Sequence, residues 1–136
     1  PQGTTREALV KQRVNQNFFR SAILSSYNQK CCITGITSIE LLIASHIIPW
    51  ADDEKNRTNS SNGLCLNALL DKTFDKGLIT ITPDYKICIS DKLKEDKSIE
   101  IKDYFLKYEN KKIILPEKFL PHKDFLDHHN KNLFNK

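Results

Sequence analysis

Four side chains in the middle of the chain have the types and spacing for work on a charged bond. His46 follows the apolar run Leu41-Leu42-Ile43-Ala44, and Asn62 lies 16 residues further on. Asp71 and Asp75 follow, four residues apart. On a helix such a pair shares one face, with Cβ atoms roughly 5–6 Å apart. Two carboxylates so placed repel each other unless a cation sits between them, which points to a divalent metal with oxygen ligands. One such metal can neutralise a phosphodiester and its leaving oxygen. A histidine, with an ordinary pKa near 6.5, can take the proton of an attacking water.

The elements that must position these groups read as follows. Residues 4–28 form a helix with Thr4 at its cap and Glu7 three residues on. Its apolar stripe runs through Leu9 or Val10, Val14, Phe18, Ala22, Ile23 and Tyr27. Two strands follow, Cys31 to Thr34 and Leu41 to Ile48, with Gly35 turning the chain and Pro49 ending the second. Residues 51–62 are a polar loop, in which Asp52, Asp53 and Glu54 are solvated. Residues 63–76 read as a short helix, capped by Ser61 or Asn62 and closed by Gly77. Leu78 to Thr82 and Ile87 to Ser90 make a hairpin around Pro83-Asp84-Tyr85-Lys86. Residues 91–97 are charged linker, and Ser98 caps a helix to about Tyr108. Lys112 to Leu115 is a short strand. A last helix spans Pro121 to Phe134, with Phe125, His128 or His129 and Leu133 on one face. Trp50 is expected to pack on the hairpin. His122, His128 and His129 read as structural rather than metal-binding, because adjacent helical residues point in different directions.

Composition narrows the class. The 136 residues hold 39% hydrophobic and 28% charged side chains, which suits one folded domain rather than a disordered chain. No apolar run approaches the roughly 20 residues of a membrane span. The chain starts at Pro1 and contains no methionine, so it is expected to be a domain cut from a longer protein. None of Cys31, Cys32, Cys65 and Cys88 forms a C-x-x-C pair, so buried thiols in a reducing, cytoplasmic compartment are expected rather than a zinc knuckle. The net charge is +4. Residues 1–30 carry all of it, with Arg6, Lys11, Arg13, Arg20 and Lys30 against Glu7. Arg6, Arg13 and Arg20 are seven apart, lie near one side of the helix and lack acidic partners four residues away, so they are available for backbone phosphate. Lys55, Arg57, Lys72 and Lys76 surround the proposed site as a second set, and Arg57 could reach the scissile phosphate.

At these residues the chain resembles the HNH endonucleases, proteins of the ββα-metal fold, and most of all their bacterial restriction-type branch. The resemblance spans nearly the whole chain. It rests on Phe18-Phe19-Arg20, Tyr27, Cys32-Ile33-Thr34-Gly35, Ala44-Ser45-His46-Ile47-Ile48-Pro49-Trp50, Asn62-Gly63-Leu64-Cys65-Leu66, Phe74-Asp75-Lys76-Gly77 and the tail from Leu115-Pro116 to Phe134. It implies an α+β domain. A basic helix (residues 1–30) precedes a ββα-metal core (31–77), and a hairpin with C-terminal helices wraps the core (78–136). It implies metal-dependent DNA cleavage of a restriction or phage-defence type. His46 would be the general base, Asn62 the residue that orders the loop, and Asp75 with Asp71 the ligands of Mg²⁺ or Mn²⁺. The chain departs from the family pattern at Leu70 and Asp71, where members carry histidine at one or both positions. It also departs at Ser45, where some branches have an aspartate or histidine ligand. The competing expectation is a DNA-binding module that lost turnover with Leu70, and a further one is a purely structural interaction domain. DNA is the expected partner and a membrane is not. A homodimer, and a target-recognition region elsewhere in a longer chain, remain open.

Overall fold

The computed structural model describes residues 5–135. Helix α1 runs from Arg6 to Ser26, and its N-cap is Thr5, whose hydroxyl accepts from the Ala8 N–H. The cap expected at Thr4 falls outside the described residues. Strands β1 (Leu42–His46) and β2 (Gly63–Asn67) pair antiparallel, with His46 opposite Gly63 and Leu42 opposite Asn67. Helix α2 (Ala68–Asp75) follows β2 directly. These three elements are the ββα core.

The core hairpin differs from the expected one. Cys31 to Thr34 is a turn, not a strand: Gly35 N–H donates back to the Cys31 carbonyl, and Gly35 sits at φ +80°. That turn still ties into the core, because Cys32 N–H donates to the Cys65 carbonyl and Ile114 N–H to the Cys32 carbonyl. The true partner of β1 is Gly63–Asn67, the segment expected to begin the helix. All five of its residues are buried, so its run lacks the alternation that marks a half-exposed strand. The helix starts only at Ala68, where the Asn67 side chain accepts from Leu70 N–H; Ser61 and Asn62 do not cap it.

Helix α1 covers the hairpin with the inward face of its C-terminal half. Phe19, Ile23, Leu24 and Tyr27 are buried there, and the Tyr27 hydroxyl donates to the Gly63 carbonyl. Gly63 is required by this approach, since a Cβ would stand 2.5 Å from Ile23 and 2.8 Å from Phe19. The expected apolar stripe does not face the core in the first half of the helix. Val14 is 59% and Phe18 62% exposed, and Leu9 and Val10 are exposed as well.

The rest of the chain closes around α2. β3 (Ile79–Ile81) and β4 (Ile87–Ile89) form the expected hairpin. Residues 91–94, read as linker, form the short helix α3 (Asp91–Lys94) because Ser90 caps it. Ser98 caps α4 (Ile99–Tyr104) as expected, and Leu106–Tyr108 continues it as a 3-10 turn. The strand expected at Lys112 to Leu115 is reduced to one bridge between Lys112 and Lys86. Helix α5 (Lys123–Asn132) packs on β3 and meets α2 through His129 and Phe74. Gly77 closes α2 at φ +70°, where a side chain would also strike the Leu133 carbonyl at 1.9 Å.

The tail histidines have structural duties. The His122 side chain caps α5, accepting from Asp124 N–H, and His128 meets the Asn132 amide. His129 is 1% exposed, lies flat on Phe74 at 3.8 Å, and bonds Thr80 Oγ1 through Nδ1 and the Phe74 carbonyl through Nε2. A carbonyl can only accept, so Nε2 carries the proton and Nδ1 takes the threonine hydroxyl. Burial pushes the pKa of His129 down to about 4. Unfolded histidine titrates near 6.5, so between these values the unfolded chain binds a proton that the folded chain refuses. Stability is therefore full above pH 6.5 and falls as pH drops towards 4, by about 3 kcal/mol in total. Urea unfolding across that range is expected to show this loss in the parent and a slope shallower by about one proton in His129→Leu. Equal slopes would refute it.

Candidate active site

His46 ends β1, and its ring is held from three sides. It stacks on Phe19 of α1 with centroids 3.9 Å apart and meets the edge of Trp50 at 5.6 Å. Its Nε2 lies 2.7 Å from the Arg57 carbonyl oxygen. The carbonyl can only accept, so the proton sits on Nε2 and the lone pair of the neutral ring sits on Nδ1. Burial lowers the pKa of His46 below the ordinary value; the Arg57 carbonyl and the charge of Asp75 oppose that shift. The ring is therefore held neutral, oriented and basic at one nitrogen.

The loop from 47 to 62 supplies that carbonyl, and Asn62 holds the loop. Asn62 is 0% exposed. Its Oδ1 accepts from Ile48 N–H at 2.8 Å, and its Nδ2 donates to the carbonyls of Ile48 and Asn56, both at 3.2 Å. Its own carbonyl accepts from Ile47 N–H. The side-chain amide thus behaves as an extra strand segment, ordering the chain on both sides of Trp50. Arg57 adds a second tie, with Nε donating to the Trp50 carbonyl at 2.7 Å and the guanidinium 4.9 Å over the indole.

Ser45 precedes His46, so its side chain takes the other face of the strand. There the buried Ser45 hydroxyl donates to Asp71 Oδ1 at 2.5 Å. Asp75 stands one turn further along α2 and is exposed. Partial desolvation of its carboxyl by neighbouring atoms and the negative charge of Asp71 raise its pKa; Lys72, Lys76 and His46 pull the other way. Asp75 is thus the carboxylate that senses both Asp71 and His46. Leu70 is 1% exposed in the core, whereas Asp71 beside it is partly exposed and holds the Ser45 hydroxyl.

The donor set fits a hard cation in part. Two carboxylates on one helical face repel each other, and both offer oxygen. Among the described residues no three His, Cys, Asp or Glu side chains converge as a ready-made metal group. Magnesium commonly uses only one or two carboxylates, with water and substrate phosphate completing its shell.

The basic residues separate. Arg6 and Arg13 are exposed on α1. Arg20 is not available for phosphate: its guanidinium donates to the carbonyls of Leu42 at 2.6 Å and Ile39 at 3.4 Å, binding α1 to the start of β1. Lys72 and Lys76 are exposed and act electrostatically on Asp75. Sequence reasoning missed the roles of Phe19, Ser45 and Trp50. Phe18-Phe19 offers two aromatics to one helix, and only the packing shows which meets the histidine. Cys31, Cys32 and Cys65 are buried thiols as expected, with Cys65 on β2 and pushed up to about 12 by burial and by Cys31.

A strand histidine, a buried asparagine in the long connection and acids on the following helix define the ββα-metal nuclease class. Residues 31–82 match the family model described as HNH endonuclease, and that segment is an HNH endonuclease domain. A solved structure named "Modification dependent TagI restriction endonuclease" shares the fold, with a TM-score of 0.54 over 86% of this chain at 20% identity. The aligned region is 38% of that protein's chain. No curated protein sequence matches the chain. No helix among the described residues is long and apolar enough to cross a membrane.

Proposed function

We propose that the domain is a metal-dependent DNA endonuclease of the restriction type. One observation carries this reading: the Arg57 carbonyl holds the Nε2 proton of a half-buried His46, leaving Nδ1 as a base within electrostatic reach of Asp75 on α2. In this reading Nδ1 takes the proton of the attacking water. Asp71, oriented by Ser45, and Asp75 would hold Mg²⁺ or Mn²⁺. The bound ion supplies positive charge to the scissile phosphate and the leaving oxygen. Asn62 keeps the base aimed through the loop. Arg6 and Arg13 add sequence-independent grip on the phosphate backbone, with Lys72 and Lys76 nearer the cut. The likeness to a restriction enzyme whose chain is more than twice as long as the aligned part supports the reading of a restriction role with a target-recognition region in a longer chain.

The test is nicking of supercoiled plasmid. Cleavage is expected with Mg²⁺ or Mn²⁺ and none with EDTA. The double variant Asp71→Asn with Asp75→Asn is expected to need far more metal and to lose about 100-fold or more in rate, the range of a removed charge stabiliser. Cleavage in EDTA, or a double variant as fast as the parent, would remove the carboxylates from this role. DNA binding with no cleavage under any divalent metal would favour the binding-module reading.

A further inference from the structure

The first half of α1 is amphipathic the wrong way round for a packed helix. Its outward side carries Val10, Val14 and Phe18, all exposed. Its inward side, continuous with the face that buries Phe19 and Ile23, carries Ala8, Lys11, Gln12 and Asn15. These residues do not pack on the loop opposite. They face it across a cleft of about 400 Å³, whose far wall holds Trp50, Glu54 and Arg57. A helix that merely needed to sit on the loop would place its apolar residues here.

The walls have the chemistry of a nucleotide site. Trp50 offers an aromatic surface, with its ring 5.6 Å from His46 and the Arg57 guanidinium 4.9 Å over one face. Lys11 and Arg57 are cations with no ion pair among the described residues. Gln12 and Asn15 present donors and acceptors, and Glu54 is an acceptor suited to an exocyclic amino group. The volume suits one nucleotide, whereas a duplex needs an open face to meet a major groove about 12 Å wide. Arg57 belongs to both places, because its carbonyl holds His46 while its side chain lines the cleft.

We propose that this cleft takes one unstacked nucleotide of the cleaved DNA strand, next to the scissile phosphate, with its base against Trp50 and its phosphate on Lys11 and Arg57. The inference rests on the nuclease reading for the identity of the ligand. It makes the inward face of α1 a determinant of which base flanks the cut.

Photo-crosslinking tests it in EDTA, where cleavage plays no part. DNA carrying 5-iododeoxycytidine in place of deoxycytidine, which keeps the exocyclic amino group, is bound by the whole chain, irradiated and digested, and the adducts are mapped by mass spectrometry. An adduct on Trp50 is expected. Its yield per bound DNA should fall about tenfold in the double variant Lys11→Ala with Gln12→Ala, the size of a lost hydrogen bond to a charged phosphate. Both changes lie on an exposed helix surface, and circular dichroism checks that the variant folds. Arg6→Ala with Arg13→Ala should weaken binding but keep the yield per bound DNA. Adducts that avoid Trp50, a yield unchanged in the Lys11/Gln12 variant, or no DNA binding at all would each overturn the proposal. A Trp50 adduct in a protein that never cleaves DNA with any metal would sustain the cleft and sink the nuclease reading alone.

Discussion

Replacing His46 by alanine is expected to lower the rate of plasmid cleavage by about 10²–10⁴, the range for a lost general base, with DNA binding little changed. The ring does two things that the variant separates. It is a structural plug, stacked on Phe19 and bonded to the Arg57 carbonyl. Losing that is expected to cost about 1–2 kcal/mol, too little to unfold the domain. It is also the base, and the pH profile reports that part. Burial lowers the pKa of His46 from its ordinary value of 6.5. The active form is the neutral one, so a lower pKa keeps it populated in more acid solution. The acid limb of the cleavage rate is therefore expected to fall below pH 6.5 in the parent and to vanish from the residual rate of His46→Ala. An acid limb that survives unchanged in His46→Ala would assign the titration to another group. Equal rates in parent and variant would end the catalytic assignment.

The positions of the candidate residues were more legible than the scaffold around them, for a physical reason. The order of His46, Asn62, Asp71 and Asp75 along the chain survives errors in element type. The helix that holds both acids was readable from the spacing and from Gly77, whose positive φ ends it. The scaffold signals conflicted. Gly63 to Asn67 is buried on both faces, so it shows no period of two and merges with the helix that follows. Cys31 to Thr34 has strand-forming residues, yet Gly35 folds it into a turn that gives β2 one backbone hydrogen bond and the side-chain contacts of Asn67 instead of a ladder. The α1 stripe was followed from Val10 through Phe18 because apolar residues normally face inward. Here the polar side faces inward, and nothing in a helical period tells one side of a helix from the other when both carry a stripe. Arg20 shows the same limit for charge. Its spacing matches Arg6 and Arg13, but the carbonyls of Leu42 and Ile39 claim its guanidinium.

Asn62 should prove as important to folding as His46 is to cleavage. With its side chain wholly buried, Asn62→Ala strands one N–H and two carbonyls, those of Ile48 and Asn56. Each unpaired buried group costs about 1–3 kcal/mol, and partial relaxation brings the expected loss to about 3–5 kcal/mol. For a domain of this size that is a fall in melting temperature of about 10 °C or more. Asn62→Asp sharpens the argument because it preserves shape. Its carboxylate can still accept from Ile48 N–H, but it turns a negative charge on the two carbonyls that the amide satisfied, so at neutral pH it is expected to be at least as destabilised as alanine. Cleavage should decline with stability in both variants, since freeing the loop releases the Arg57 carbonyl from the His46 ring. The ratio of the two losses decides what the asparagine does. If Asn62→Ala kept its stability within about 1 kcal/mol of the parent while cleavage collapsed, the side chain would be acting on substrate or metal, and the buried hydrogen bonds would not be its purpose.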